Sequence, residues 1–143
     1  MRRIVLDCNV FVSALLSPRG APAQILEQWT DGDFDLVVSP LLLAELEKVL
    51  SRPKFRTSID KIQVDALLTG LVEDAVLVDD PPPQVGLTLD PGDDYLLALA
   101  QKVNAQCIVS GDTHLTQLAD VNPPVLMPRE FLEGERDPAP APV

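Results

Sequence analysis

The sequence predicts a three-layer α/β/α fold built on a doubly wound, mostly parallel sheet of about five strands, and three observations carry that prediction. Short apolar runs rich in β-branched residues alternate along the chain with amphipathic helical patterns, the order that produces parallel βα units with right-handed crossovers. A hydrophobic content of 46% with only 4% aromatic residues describes a core of Leu, Val, Ile and Ala, which suits helices packed on both faces of a sheet. Finally, two of the apolar runs deliver a carboxylate at their carboxyl ends, Ile4-Val5-Leu6 into Asp7 and Cys107–Ser110 into Asp112. Open α/β sheets bind their ligands just beyond those ends.

Each element has its own signal. Arg3–Asp7 reads as the first strand and is followed by a helix from about Val10 through Leu15, stopped by Pro18 and Gly20. Pro22 near a first helical position, with Ile25, Leu26 and Trp29 on one face, gives a second helix to Thr30. After the turn Asp31-Gly32-Asp33, Phe34–Val38 is a second strand. Ser39-Pro40 is an N-cap followed by proline at N1, which opens a third helix to about Leu50. Beyond Pro53 a fourth helix is expected over Ile59–Glu73, then a third strand over Ala75–Val78. Asp79-Asp80-Pro81-Pro82-Pro83 cannot be helical, since its prolines lack donors and restrict the residues before them. A helix from Asp93 to about Val103 leads to the fourth strand, Cys107–Ser110. A short helix through Leu115 and Leu118, a strand over Val125–Met127 and a helical turn over Pro128–Leu132 complete the fold.

The chain has 143 residues, enough for one domain with a full core, expected over residues 1–133 with a disordered Pro/Ala tail over 134–143. No repeat or second core is visible. No apolar run approaches the ~20 residues that cross a bilayer, and the amino terminus lacks a signal-peptide pattern, so a soluble cytoplasmic protein is expected. Cys8 and Cys107 have no metal-ligand spacing and read as buried reduced thiols. A formal net charge of −11 argues against a generic nucleic-acid binder. It leaves room for a metal-dependent nuclease, because divalent cations neutralise acids where a phosphodiester approaches. The positive charge is also clustered: Lys48, Arg52, Lys54, Arg56 and Lys61 lie in a segment whose one acid is Asp60. That segment is either a backbone-holding patch or a solvated helix end.

Four acids stand out, and each has a structural alternative. Asp7 and Asp112 could be no more than N-caps of the helices that follow. Glu45 lies on or beside the apolar stripe Leu42–Leu46–Val49, where a carboxylate is costly unless paired or bound to a metal; its alternative is a snorkelling side chain paired with Lys48. In Asp90-Pro91-Gly92-Asp93-Asp94, Asp90 suits N-cap and Asp93 a capping-box position, which leaves Asp94 facing the sheet edge or serving the helix dipole. All four come from different βα units and fall at the same sheet edge. Crowded carboxylates raise one another's pKa and persist by binding protons or hard cations, of which Mg²⁺ and Mn²⁺ suit oxygen ligands. The single histidine, His114, reads as a surface residue and supplies neither a Ser-His-Asp arrangement nor a metalloprotease pair.

The ordered set Ile4-Val5-Leu6-Asp7-Cys8-Asn9, Ser39-Pro40 with Glu45, Asp90-Pro91-Gly92-Asp93-Asp94-Tyr95-Leu96-Leu97-Ala98-Leu99-Ala100, Ser110-Gly111-Asp112 and Pro128-Arg129-Glu130-Phe131-Leu132 resembles the PIN domain family. Within it the chain is most similar to the toxin components of bacterial toxin–antitoxin pairs, the VapC-like ribonucleases. The resemblance spans roughly residues 3–132. It implies a PIN-like doubly wound sheet and an endoribonuclease that uses one or two Mg²⁺ or Mn²⁺ ions. It further implies Asp7, Glu45, Asp94 and Asp112 as the catalytic and metal-binding quartet, with Asn9, Ser110 and Asp93 in support. Lys48, Arg52, Lys54 and Arg56 are candidate RNA contacts, and a cognate antitoxin and a homodimer are the implied partners. Cys8 departs from the family, which commonly has threonine there; the change bears on hydrogen bonding around the ligands more than on ligation. Two other readings compete. A non-catalytic module would keep the fold and bind a partner protein. A receiver-type phosphoacceptor domain would want adjacent acids after the first strand and a lysine after the last, and neither is present.

Overall fold

The computed structural model describes residues 2–82, 94–118 and 121–136. Ile4, Val5 and Leu6 have no solvent exposure because their strand, β1 (Arg3–Leu6), lies at the centre of a five-stranded parallel sheet. A strand covered on both faces needs an unbroken apolar run, which is how this one reads. The other strands are β2 (Asp35–Val38), β3 (Val76–Leu77), β4 (Cys107–Val109) and β5 (Val125–Leu126), in the order β3-β2-β1-β4-β5. Val76 and Leu77 on the edge are 39% and 53% exposed, so the core follows the three middle strands.

That order places the chemistry. The chain leaves β1 towards β2 and β3 on one side, then returns across it to β4 and β5 on the other. The reversal opens a crevice between the carboxyl ends of β1 and β4, the topological switch point where such sheets bind ligands. Register fixes what meets there: Leu6 pairs with Val109, and the Asp7 amide donates to the Val109 carbonyl at 2.9 Å. Asp7 and Ser110 are therefore neighbours on adjacent strands.

The helices are α1 (Cys8–Leu16), α2 (Ala21–Thr30), α3 (Pro40–Leu50), α4 (Pro53–Arg56), α5 (Lys61–Asp74), α6 (Asp94–Lys102), α7 (Thr113–Thr116) and α8 (Pro128–Arg136). Ser39 is the wholly buried N-cap of α3, its hydroxyl accepting from the Leu42 amide at 3.3 Å. Several boundaries depart from the sequence expectation. α1 begins at Cys8 rather than near Val10, because Asp7 rather than Asn9 is its N-cap. The helix expected over Ile59–Glu73 is α5, which starts behind Asp60, whose amide donates to Gln63 Oε1 at 3.0 Å, and a short helix that was not expected, α4, precedes it with Pro53 at N1. Leu118 lies beyond α7. The closing turn runs on to Arg136, anchored by buried Phe131 and Leu132; the Phe131 ring meets Phe34 edge-on at 5.7 Å. Pro83, the Asp90–Asp93 segment and residues 137–143 of the expected tail lie outside the described residues. No helix among the described residues is long and apolar enough to cross a membrane.

Candidate active site

Asp7 is the N-cap of α1 and also the hub of a polar network, and its two oxygens separate the tasks. Oδ1 accepts from the Cys8 amide at 2.7 Å, which caps the helix. Oδ2 accepts from the Ser110 hydroxyl at 2.9 Å and from Asn9 Nδ2 at 3.3 Å. An ionised carboxylate offers about four acceptor positions, so three bonds leave room for one more contact. Asn9 fastens the two strand ends together: Nδ2 also donates to Ser110 Oγ at 3.3 Å, while Oδ1 accepts from the Gly111 amide at 2.9 Å. That backbone donor fixes which way round the amide sits. Ser110, wholly buried, accepts in turn from the Asp112 amide at 2.9 Å.

Asp112 repeats the logic of Asp7. It caps α7 through Oδ1, which accepts from the His114 amide at 2.8 Å, and Oδ2 has no protein donor among the described residues. Capping and site placement are thus two uses of one side chain at both strand ends. Glu45 stands exposed on α3 and is held from α6, its Oε2 accepting from the Tyr95 hydroxyl at 2.6 Å. This replaces the snorkelling pair with Lys48 that the sequence left open. Asp94, at the head of α6, is 6% exposed and so is turned inward rather than to solvent. Asp93 lies outside the described residues.

Asp7, Asn9, Glu45 and Asp112 line one cleft of about 410 Å³, together with Arg52 and Phe55; Asp94 is not among its walls. Of the other basic candidates, Arg56 lines a separate cleft of about 590 Å³ beside Glu47, and Lys48 and Lys54 are exposed. Burial, and then the charges of Glu45 and Asp112, push the Asp7 carboxyl above its ordinary value of 3.8, against the opposing pull of the Ser110 and Cys8 bonds. The Cys8 thiol is driven up by burial and by the Glu45 and Asp7 charges, so it stays protonated and is no nucleophile. Burial, against the opposing charge of Arg2, pushes Cys107 up to about 11. The Tyr95 phenol is raised by burial and then by its bond to Glu45, which keeps it a proton donor.

Among the described residues, no three His, Cys, Asp or Glu side chains converge closely enough to hold an ion as they stand. The donor chemistry nonetheless fits a hard divalent cation: three carboxylates share a solvent-open cleft, and Asp7 is electrostatically strained by the other two.

The PIN domain model matches residues 3–114, a span that includes all four acids and the network joining Asp7 to Ser110. The chain belongs to the PIN domain family. PIN domains are in general nucleases that use divalent metals. The chain is 28% identical to the uncharacterised protein MJ1680 of Methanocaldococcus jannaschii over 92% of its own length and 90% of that protein's. PAE2754 from Pyrobaculum aerophilum superposes with a TM-score of 0.65 at 15% identity, covering 95% of this chain and 91% of that one. VapBC2 from Rickettsia felis, solved bound to a DNA fragment from its promoter, gives 0.60 at 18% identity, with 86% and 96% covered. VapC20 of Mycobacterium tuberculosis, a toxin that cleaves the sarcin-ricin loop, gives 0.51 at 17% identity, with 84% and 99% covered. At these identities the solved structures speak for the PIN fold.

Tyr95 is the site residue that sequence reasoning passed over. It is the chain's one tyrosine and directly follows Asp94, yet its partner lies fifty residues earlier, and no periodicity reports such a contact. In Tyr95→Phe the fold is retained, since only the hydroxyl is lost, and Glu45 is released. Catalytic turnover is expected to fall by less than about tenfold, the range of one partly solvated hydrogen bond. A thermal melt beside a cleavage assay checks this, and an unchanged kcat would show that Glu45 needs no tether.

Proposed function

We propose that this PIN domain is a metal-dependent endoribonuclease and the toxin of a toxin–antitoxin pair. The observation that carries the reading is the shared cleft in which Asp7, pinned by Ser110 and Asn9, meets Glu45 and Asp112. Asp7, Glu45, Asp94 and Asp112 would hold one or two Mg²⁺ or Mn²⁺ ions, with Asn9 and Ser110 in support. A cation bound there lowers the pKa of a water and offsets negative charge developing on the phosphate oxygens. The chain's own residues supply orientation. Ser110 and Asn9 hold Asp7 Oδ2 in place, and Tyr95 holds Glu45 Oε2, so that Oε1 would be the oxygen left to orient the attacking water. The water would add to phosphorus as the bond to the leaving oxygen breaks, giving up a proton to Glu45 or solvent while the leaving oxygen takes one from solvent, so no side-chain nucleophile is needed. His114 is exposed and Cys8 keeps its proton, consistent with that division of labour.

The toxin assignment, with a cytoplasmic location, an antitoxin partner and a homodimer, rests on the sequence resemblance and on the likeness to VapBC2 and VapC20. Purified protein is expected to cut structured RNA in Mg²⁺ or Mn²⁺, to stop in EDTA and to resume when the metal is restored. No cleavage in either metal contradicts the nuclease reading and favours a binding module. For the pairing, co-purification with the product of an adjacent open reading frame is expected; a non-toxic monomer expressed alone counts against it.

A further inference from the structure

The cleft has a second wall that the acids do not explain. Arg52, at the start of α4, lines it together with the acids and is its one basic residue among the described residues. Among the described residues Arg52 makes no ion pair, so its guanidinium is available. One turn on, Phe55 packs half-buried against the core while its ring also faces the cleft. The backbone around the ring is tied: the Phe55 amide donates to the Arg52 carbonyl at 3.0 Å, and the Ile59 amide donates to the Phe55 carbonyl at 2.7 Å. Lys54 Nζ lies over the same ring, 4.9 Å from its centroid, on an exposed side chain that a stacking base would displace.

A fixed aromatic face, a free guanidinium and a carboxylate cluster in one cleft are complementary to different parts of one polymer. Aromatic rings stack bases with little regard to sequence, because every base has a π-face. Guanidinium groups match phosphate oxygens. Building on the nuclease reading, we propose that the Arg52–Phe55 wall is a subsite for one unpaired RNA nucleotide next to the scissile phosphate, its base stacked on Phe55 and its outer phosphate on Arg52. The substrate class that follows is RNA with unstacked bases, in loops, bulges or single strands. A-form duplex is excluded because its bases are already stacked on one another.

The test reads binding apart from cleavage. Trp29 is the chain's one tryptophan and lines a different cavity, so a Trp29→Phe, Phe55→Trp double variant carries its indole in the cleft alone. With a single-stranded RNA oligonucleotide in Ca²⁺, its fluorescence is expected to be quenched; the same sequence in a blunt duplex leaves it unchanged. Phe55→Leu, checked by thermal melting, is expected to weaken single-strand affinity about 5- to 150-fold, the range for losing one stacked base, and Phe55→Trp to restore it. Arg52→Gln should reduce the slope of log affinity against log salt by about 0.7, one single-strand phosphate contact. RNA that is still cut, with no quenching and an affinity unmoved by Phe55→Leu, overturns the subsite while leaving the nuclease reading intact. A parent protein that neither binds nor cuts RNA overturns both.

Discussion

Asp7→Asn is expected to reduce RNA cleavage by more than about 100-fold, since removing a partner one shell further from a metal already costs 10–100-fold. The same change leaves the fold intact. Asparagine retains one acceptor, enough to keep the Cys8 amide capped, and puts a donor where Oδ2 accepted from Ser110 Oγ and Asn9 Nδ2; it also removes a carboxylate whose ionised form the folded state disfavours. The direction of the pH effect follows from the raised pKa. A carboxyl that binds its proton more tightly when folded contributes stability below its unfolded value of 3.8, and that contribution is lost as pH rises through the folded value. In EDTA, the parent should therefore lose stability relative to Asp7→Asn as pH rises from about 4 towards neutrality. Differential scanning calorimetry of both proteins across that range reads the crossover. A parent more stable than the variant at neutral pH without metal would mean that Asp7 is a structural cap and little else.

Ser110→Ala is expected to cost both activity and stability. The hydroxyl is wholly buried, donates to Asp7 Oδ2, and accepts from Asn9 Nδ2 and from the Asp112 amide. Its loss strands a backbone donor and frees Asp7 to turn. About 1–3 kcal/mol of stability should go with the stranded donor. A 10–100-fold fall in activity should accompany the misplaced ligand. Urea denaturation and steady-state cleavage measure the two separately. An active variant with only a stability loss would remove Ser110 from the site's support.

Much of the fold was legible because its signals are local. The run Ile4-Val5-Leu6 has no polar residue to spare for solvent, and Ser39-Pro40 announces a helix within two residues. The site was legible for a related reason: in a parallel sheet, strand ends share an edge, so Asp7 and Asp112 could be placed together before any contact was known. What escaped the sequence is what depends on distance through space. Tyr95 reaches Glu45 across α3 and α6, and neither helix's pattern records the other. At Asp7 the structure shows the cap, and the capping bond takes Oδ1 alone, so capping does not by itself decide against the ligand role proposed for it. α4 is a single turn, too short for any periodicity to register, and without it the basic segment looked like one patch. The structure divides that patch, sending Arg52 to the acidic cleft and Arg56 to another.

Asp7, Glu45, Asp94 and Asp112 are proposed to serve one cation site. Titration of Mn²⁺ into metal-free protein, followed by electron paramagnetic resonance of the free ion, tests it most directly. Saturable binding of one or two ions to the parent is expected, at least 10–100-fold weaker in Asp7→Asn and in Asp112→Asn, with both variants folded. Binding of equal strength in the parent and in both variants would contradict it.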